Sequence, residues 1–246
     1  MRPRLAALDL RADPEAWAAA GFSVGDGACR VGTTDLMLTG GPHAATGFAG
    51  WTLANAIPEG VRGPEGVRPL NMNSTLPSEA RRAKTADGVR PLHVNSTWPG
   101  GVFEGVPTLV VDEPDETVAP PHPNGISAID HVVLATPDTR RTFAALEAAG
   151  FALRRVRDAG AHRQGFFLFA DALLEVVGPP EPEPEPGPAA LWGVTFVCHD
   201  LDAAARCFGA GRLGAPRDAV QPGRRIAVAD RAAGLGVRVA LMSPRG

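Results

Sequence analysis

The chain has no tyrosine, a single lysine (Lys84) among its 24 basic residues, and three cysteines in 246 residues. Cys29, Cys198 and Cys207 form no C-x-x-C pair and leave one unpaired under any bridging scheme, so a disulfide framework gives way to free thiols in a reducing cytoplasm. No run of 18 apolar residues occurs, and the N-terminus MRPRLAALDLRADPEAW lacks the apolar core of a signal peptide. The expectation is a soluble, cytoplasmic protein with no membrane partner. The formal charge is −3 and the basic residues are scattered, so no basic stripe marks a nucleic-acid partner. Asn73-Ser74-Thr75 and Asn95-Ser96-Thr97 match the glycosylation sequon, but without a secretory signal they are chance matches. Also missing are a G-x-G-x-x-G opening a helix, a P-loop, an H-E-x-x-H and a G-x-S-x-G elbow.

Alanine, glycine, proline and arginine are abundant, which suggests a GC-rich coding bias and weakens propensity as a guide; hydrophobic periodicity is safer. Two stretches rich in Pro and acidic residues, DEPDETVAPPHPNG over 112–125 and PPEPEPEPGP over 179–188, favour extended conformations and read as linkers. Between them, Ile129–Ala135 reads as a strand. Asp138–Ala149 reads as a helix with Phe143, Leu146 and Ala149 at helical spacing, and Phe151–Arg157, Gly165–Phe169 and Leu173–Val177 as three more strands.

After the second linker the order recurs: strand Trp192–Cys198, helix Asp200–Gly209, and strands Ala215–Asp218, Arg224–Ala229 and Val237–Met242. Asp138 and Asp200, Asp158 and Asp218, and Pro179 and Pro244 fall at matching places, so the segments 126–179 and 189–244 read as an internal duplication. The expected fold class is α+β, with repeated βαβββ modules paired into an incomplete barrel. Residues 1–111 read as a degenerate relative of the same unit. It comprises a shorter copy over 5–42, strands at Phe48–Leu53 and Val106–Val111, and an inserted loop over about 55–105 that contains GVRPLNMNST and GVRPLHVNST.

The repeated order, with IDHVVLATPD opening and LLEVVGP closing the first copy and RQGFF at Arg163–Phe167, resembles the vicinal oxygen chelate superfamily. Within it, the likeness is to the glyoxalase and bleomycin-resistance group and its actinobacterial glyoxalase-like proteins. The resemblance implies a divalent metal ion (Zn, Ni, Fe or Mn) on the concave face, with its first-strand ligand at His131 and its fourth-strand ligand at Glu175. Gly193 and Ala240 stand at the corresponding places of the second copy, and Ala6 and Leu38 at those of the N-terminal one, so none of these can ligate through a side chain.

Residues from which a third ligand could come are His162, His199, His43 and His93, all better read as exposed loop residues. His131 and Glu175 have a second reading, as a core histidine hydrogen-bonded to a carboxylate across the sheet. Gln164 and Arg224 open the third strand of each copy. They are candidates to orient a substrate carboxylate or carbonyl in a catalytic role, against the plainer reading of solvated strand-end residues. Phe166, Phe167, Phe169 and Trp192 read either as the lining of an apolar pocket or as core.

Two functions remain open. One is a metal-dependent lyase, isomerase or dioxygenase acting on a small oxygenated substrate. The other is a metal-free protein that binds or sequesters a small molecule, as bleomycin-resistance proteins do. The modules can pair within one chain or between the two chains of a homodimer.

Overall fold

The computed structural model describes residues 2–41, 44–55, 101–111 and 115–245. The two GVRPL phrases, Lys84, His43, His93 and both sequons lie outside the described residues.

In the N-terminal part, strand β1 (Arg4–Arg11) leads into helix α1 (Pro14–Ala19) and then strands β2 (Ala28–Val31), β3 (Thr34–Leu38), β4 (Gly47–Ala54), β5 (Gly101–Phe103) and β6 (Val106–Val111). The helix begins because the Asp13 side chain accepts from Glu15 N and Pro14 occupies the first turn, where its missing N–H costs nothing. These strands form one sheet in the order β2-β3-β1-β4-β6-β5. Only β5 was not foreseen: its three residues are too few for periodicity to register.

The C-terminal part contains β7 (Ile126–Ala135), α2 (Thr139–Ala148), β8 (Ala152–Ala159), β9 (His162–Leu168) and β10 (Leu173–Gly178). It then repeats the series as β11 (Ala190–Cys198), α3 (Leu201–Phe208), β12 (Arg217–Asp218), β13 (Arg225–Val228) and β14 (Arg238–Met242). Asp138 caps α2 by accepting from Arg141 N, and Asp200 caps α3 by accepting from Asp202 N and Ala203 N. The sheet order is β12-β13-β14-β11-β7-β10-β9-β8. Each module therefore places its first strand parallel to its last, β7 beside β10 and β11 beside β14, and the modules join by antiparallel pairing of β7 with β11. This is the expected α+β arrangement of paired βαβββ modules. The N-terminal sheet follows the same rule, β1 lying parallel to β3, antiparallel to β4, and β4 parallel to β6.

One face of the C-terminal sheet is apolar through its centre and closed. Val132, Leu134, Phe167, Leu174, Val176, Phe196 and Leu241 are almost wholly buried there. Helix α2 packs on it through Phe143, whose ring lies 5.4 Å from that of Phe167. The N-terminal part packs on the same face, Trp17 and Phe22 meeting Phe196 at 6.2 and 5.6 Å. Trp17 and Trp51 each contribute about 2–3 kcal/mol by burial. Their indole N–H groups do not go unsatisfied: Trp17 donates to Leu235 O at 3.1 Å and Trp51 to Thr108 Oγ1 at 2.7 Å.

The stretch before β7 is less of a solvated linker than its composition suggests. His122 and Asn124 are buried, Ser23 N donating to His122 Nδ1 at 3.0 Å and Asn124 Nδ2 donating to Ala20 O at 3.0 Å. Hydrogen bonds to the N-terminal part, which composition cannot reveal, hold it in place. Residues 181–185 of the second linker are exposed, as expected.

Candidate functional site

Strand residues directly opposite one another share a face. From β8 to β14, one row of partners runs Arg155, Phe166, Glu175, Val133, Gly193, Arg238. The adjoining row holds Leu168, Leu173, His131, Thr195, Ala240 and Val228. His131 and Glu175 therefore lie on the face opposite the closed apolar one, and so does Gln164, which pairs with Val177 on β10 and Arg157 on β8. The RQGFF segment shows why its sequence suits this place. A Cβ on Gly165 would lie 2.4 Å from the Phe143 ring, so the helix-facing position must be glycine, while Gln164 and Phe166 on either side turn to the open face.

A bulge completes the arrangement. Thr195 pairs with His131 but Phe196 pairs with Ile129, which leaves Asp130 as an extra residue in β7. In a regular strand Asp130 and His131 would point to opposite faces; here Asp130 Oδ2 lies 2.8 Å from His131 Nδ1. Arg224, from the second module, donates through Nη2 to Asp130 Oδ1 at 2.6 Å and through Nε to Ser243 O at 2.7 Å. On the other side, His131 Nε2 faces Glu175 Oε2 at 3.6 Å, too long for a hydrogen bond, and Gln164 Nε2 donates to Glu175 Oε1 at 2.9 Å. Arg224, Asp130, His131, Glu175 and Gln164 thus form one chain of polar side chains across both modules. Asp130 was missed in the sequence; its only trace there is a carboxylate beside a histidine inside an apolar run.

The electrostatics follow from burial and partners. Burial alone would raise the Asp130 carboxyl, but hydrogen bonds from His131 and Arg224, together with their charge, hold it down at about 2. An ionised Asp130 assigns the proton of that contact to His131 Nδ1, leaving Nε2 as the nitrogen that faces Glu175. Burial raises the Glu175 carboxyl above the usual carboxylate range, against the pull of His131 and Arg157. Glu175 Oε2 and His131 Nε2 face each other at 3.6 Å with no hydrogen bond between them.

As a metal centre the set is incomplete. His131 and Glu175 stand side by side, but no group of three His, Cys, Asp or Glu side chains occurs among the described residues. Both oxygens of Asp130 are taken by Arg224 and His131, and Glu175 Oε1 by Gln164. Two donors are fewer than a catalytic zinc needs, and the residues present do not make such a centre by themselves.

The other candidates separate. Arg224 is not a solvated strand end; at 4% exposure it backs Asp130, and β13 begins at Arg225. Gln164 is half-buried with Oε1 buried and without a partner. His162 opens β9 instead of lying in a loop, and is exposed; His199 is exposed beside the cap Asp200. Phe167 and Phe169 belong to the core, whereas Phe166 and Trp192 lie outside it, Trp192 50% exposed with the Arg238 guanidinium 4.5 Å above its ring. Ala6 and Leu38 are buried.

No known protein family matches the sequence, and no curated protein does. Among solved structures the chain is similar to methylmalonyl-CoA epimerase from Mycobacterium tuberculosis, at 18% identity and a TM-score of 0.41, over 53% of this chain and 94% of that one. It is similar to Streptomyces coelicolor methylmalonyl-CoA epimerase in complex with 2-nitronate-propionyl-CoA, at 21% identity and a TM-score of 0.40, over 49% and 99%. It is also similar to a hypothetical protein from Bacillus halodurans, at 10% identity and a TM-score of 0.39, over 48% and 94%. Such distances carry no assignment of activity; the strand order itself shows the paired-module fold of the vicinal oxygen chelate type.

Proposed function

We propose that the open face of the C-terminal sheet is the active site of a proton-transfer enzyme, an isomerase or lyase acting on a small oxygenated substrate of the glyoxalase-like kind. The observation that carries this reading is the His131–Glu175 pair, Nε2 to Oε2 at 3.6 Å, with the outer atom of each group fixed by a neighbour. Asp130 holds His131 Nδ1 and Gln164 holds Glu175 Oε1, so Nε2 and Oε2 are the two atoms free to work.

One member of the pair takes a proton from a carbon beside a carbonyl. The C–H electron pair becomes a carbon–carbon double bond as the carbonyl π pair moves onto oxygen, giving an enolate, and a proton then returns to the same carbon from the pair as the carbonyl re-forms. A carboxyl raised by burial beside an imidazole whose other nitrogen is fixed suits an acid and base pair of this sort. Asp130, Arg224 and Gln164 are positioning residues. This scheme runs on the chain's own side chains and routes nothing through a metal.

Phe166 and the half-exposed Trp192 on or beside the same face support a second reading, a protein that only binds an apolar or aromatic small molecule. Hydrogen–deuterium exchange distinguishes the two. In deuterated water the protein should exchange the α-hydrogens of at least one of a panel of small 2-oxo and 2-hydroxycarbonyl compounds, followed by NMR. Glu175→Gln and His131→Asn should each slow it about 10²-fold or more. Binding without exchange in the parent protein would leave only the sequestering role.

A further inference from the structure

The open face carries a charge that its proton-transfer pair does not require. Arg155 and Arg157 on β8 flank Glu175 at one side of the row, and Arg238 on β14 ends it at the other. Arg155 and Arg157 make no hydrogen bond or ion pair with any described residue, and Arg238 only stacks on Trp192. Among the described residues, the two acids of the polar chain already have partners: Asp130 is paired with Arg224, and Glu175 accepts from Gln164 and faces His131. Behind them, the nearly buried Arg224 keeps Nη1 without a partner.

The face is therefore positive on a chain whose formal charge is −3. Between the two arginine rims the row holds Phe166 and Glu175, then Val133 and Gly193, so an aromatic ring and small apolar residues surround the pair. From β10 to β8 is two strand spacings, about 10 Å, which a long arginine side chain can span in large part. Arg157, in the row next to that of Glu175, also acts on this carboxyl through its charge.

We propose that the ligand of this face is a small organic anion whose carboxylate or phosphate is held by Arg155 and Arg157, with its carbonyl carbon toward His131 and Glu175. A guanidinium fork suits both anions, and a positive recess on a negative protein concentrates them. This deepens the proton-transfer reading and rests on the same site.

The test is equilibrium binding to the whole chain, by calorimetry and by the fluorescence of the half-exposed Trp192. The probes are pyruvate, 2-oxobutyrate, oxaloacetate and 2-oxoglutarate with their methyl esters, and phosphoglycolate and glycerol 3-phosphate as phosphate arms. At least one acid should bind with a Kd below about 1 mM, at least tenfold tighter than its ester and more weakly as salt rises. The paired substitution Arg155→Gln and Arg157→Gln should weaken it at least tenfold. The matching substitution of both to Lys should recover part of the loss, as a structural defect would not. The proposal fails if no acid binds below about 1 mM, if the ester binds as well as its acid, or if the Gln variant binds unchanged. Binding of an acid without hydrogen exchange would overturn the catalytic reading alone. Exchange in neutral carbonyl compounds without binding of any acid would overturn this one alone.

Discussion

The Arg224 guanidinium donates to the Asp130 carboxylate at 2.6 Å with 4% and 5% of the two side chains exposed, so an ion pair between the modules is sealed beneath the open face. It joins the lead-in to β13 to the bulge of β7, three strands apart in the sheet order. Removing one partner of such a pair leaves the other charge buried alone.

Arg224→Leu should therefore cost about 3–5 kcal/mol. At roughly 2–4 °C per kcal/mol, that lowers Tm on the order of 10 °C. Adding Asp130→Asn should recover part of the loss, and denaturant unfolding of the four members of the double-mutant cycle measures it. Additive losses would show that the pair does not couple the modules.

Asp130 also sets an acid limit. Its folded pKa of about 2 lies below the unfolded value near 3.9, so the stability it contributes is present above pH 4 and lost as pH falls through about 2. Tm measured from pH 5 to pH 2 should fall steeply in the lower part of that window. In Asp130→Asn the slope there should be shallower, from a lower starting point.

Glu175 works in the opposite sense. Its folded pKa is raised, so ionising it costs stability as pH rises above the unfolded value. Glu175→Gln should therefore hold or raise Tm at pH 7, by about 2 °C, while slowing hydrogen exchange about 10²-fold or more, the usual exchange of stability against activity. A fall in Tm with exchange retained would assign Glu175 to the scaffold.

His122 is buried with Nδ1 accepting from Ser23 N, and burial lowers its pKa. Protonation places a donor against a donor, so stability should decline as pH drops below about 6.5 and toward the folded value. His122→Gln, which keeps an acceptor, should flatten Tm between pH 6.5 and pH 5.

With two donors in place, protein purified without a histidine tag should hold well under one equivalent of Zn, Ni, Fe or Mn, and a chelator should leave Tm unchanged. Elemental analysis decides it. One full equivalent, lost in both His131→Ala and Glu175→Ala, would mean that a further ligand completes the pair.

Much of this was legible in order and spacing alone. The apolar runs around IDHVVLA and GVTFV, the Asp caps at Asp138 and Asp200, and the repeat of strand, helix and three strands reflect local rules: period, capping and turn chemistry. That His131 and Glu175 stand on neighbouring strands was implied by the resemblance to the vicinal oxygen chelate superfamily, and the parallel pairing of β7 with β10 brings them together. Gln164 follows from alternation about Gly165, so its face was readable once the strand was.

What no local rule contains is the slip between β7 and β11. A bulge depends on two segments more than sixty residues apart failing to match by one residue, and that mismatch alone brings Asp130 to the same side as His131. The place of Arg224 is likewise a tertiary outcome. In the sequence it is one arginine among many at a strand end, and only the packing of the second module buries it against Asp130. Sequence determined the strands and which residues could meet; the one-residue offset between modules decided which did, because register is a property of pairs of strands.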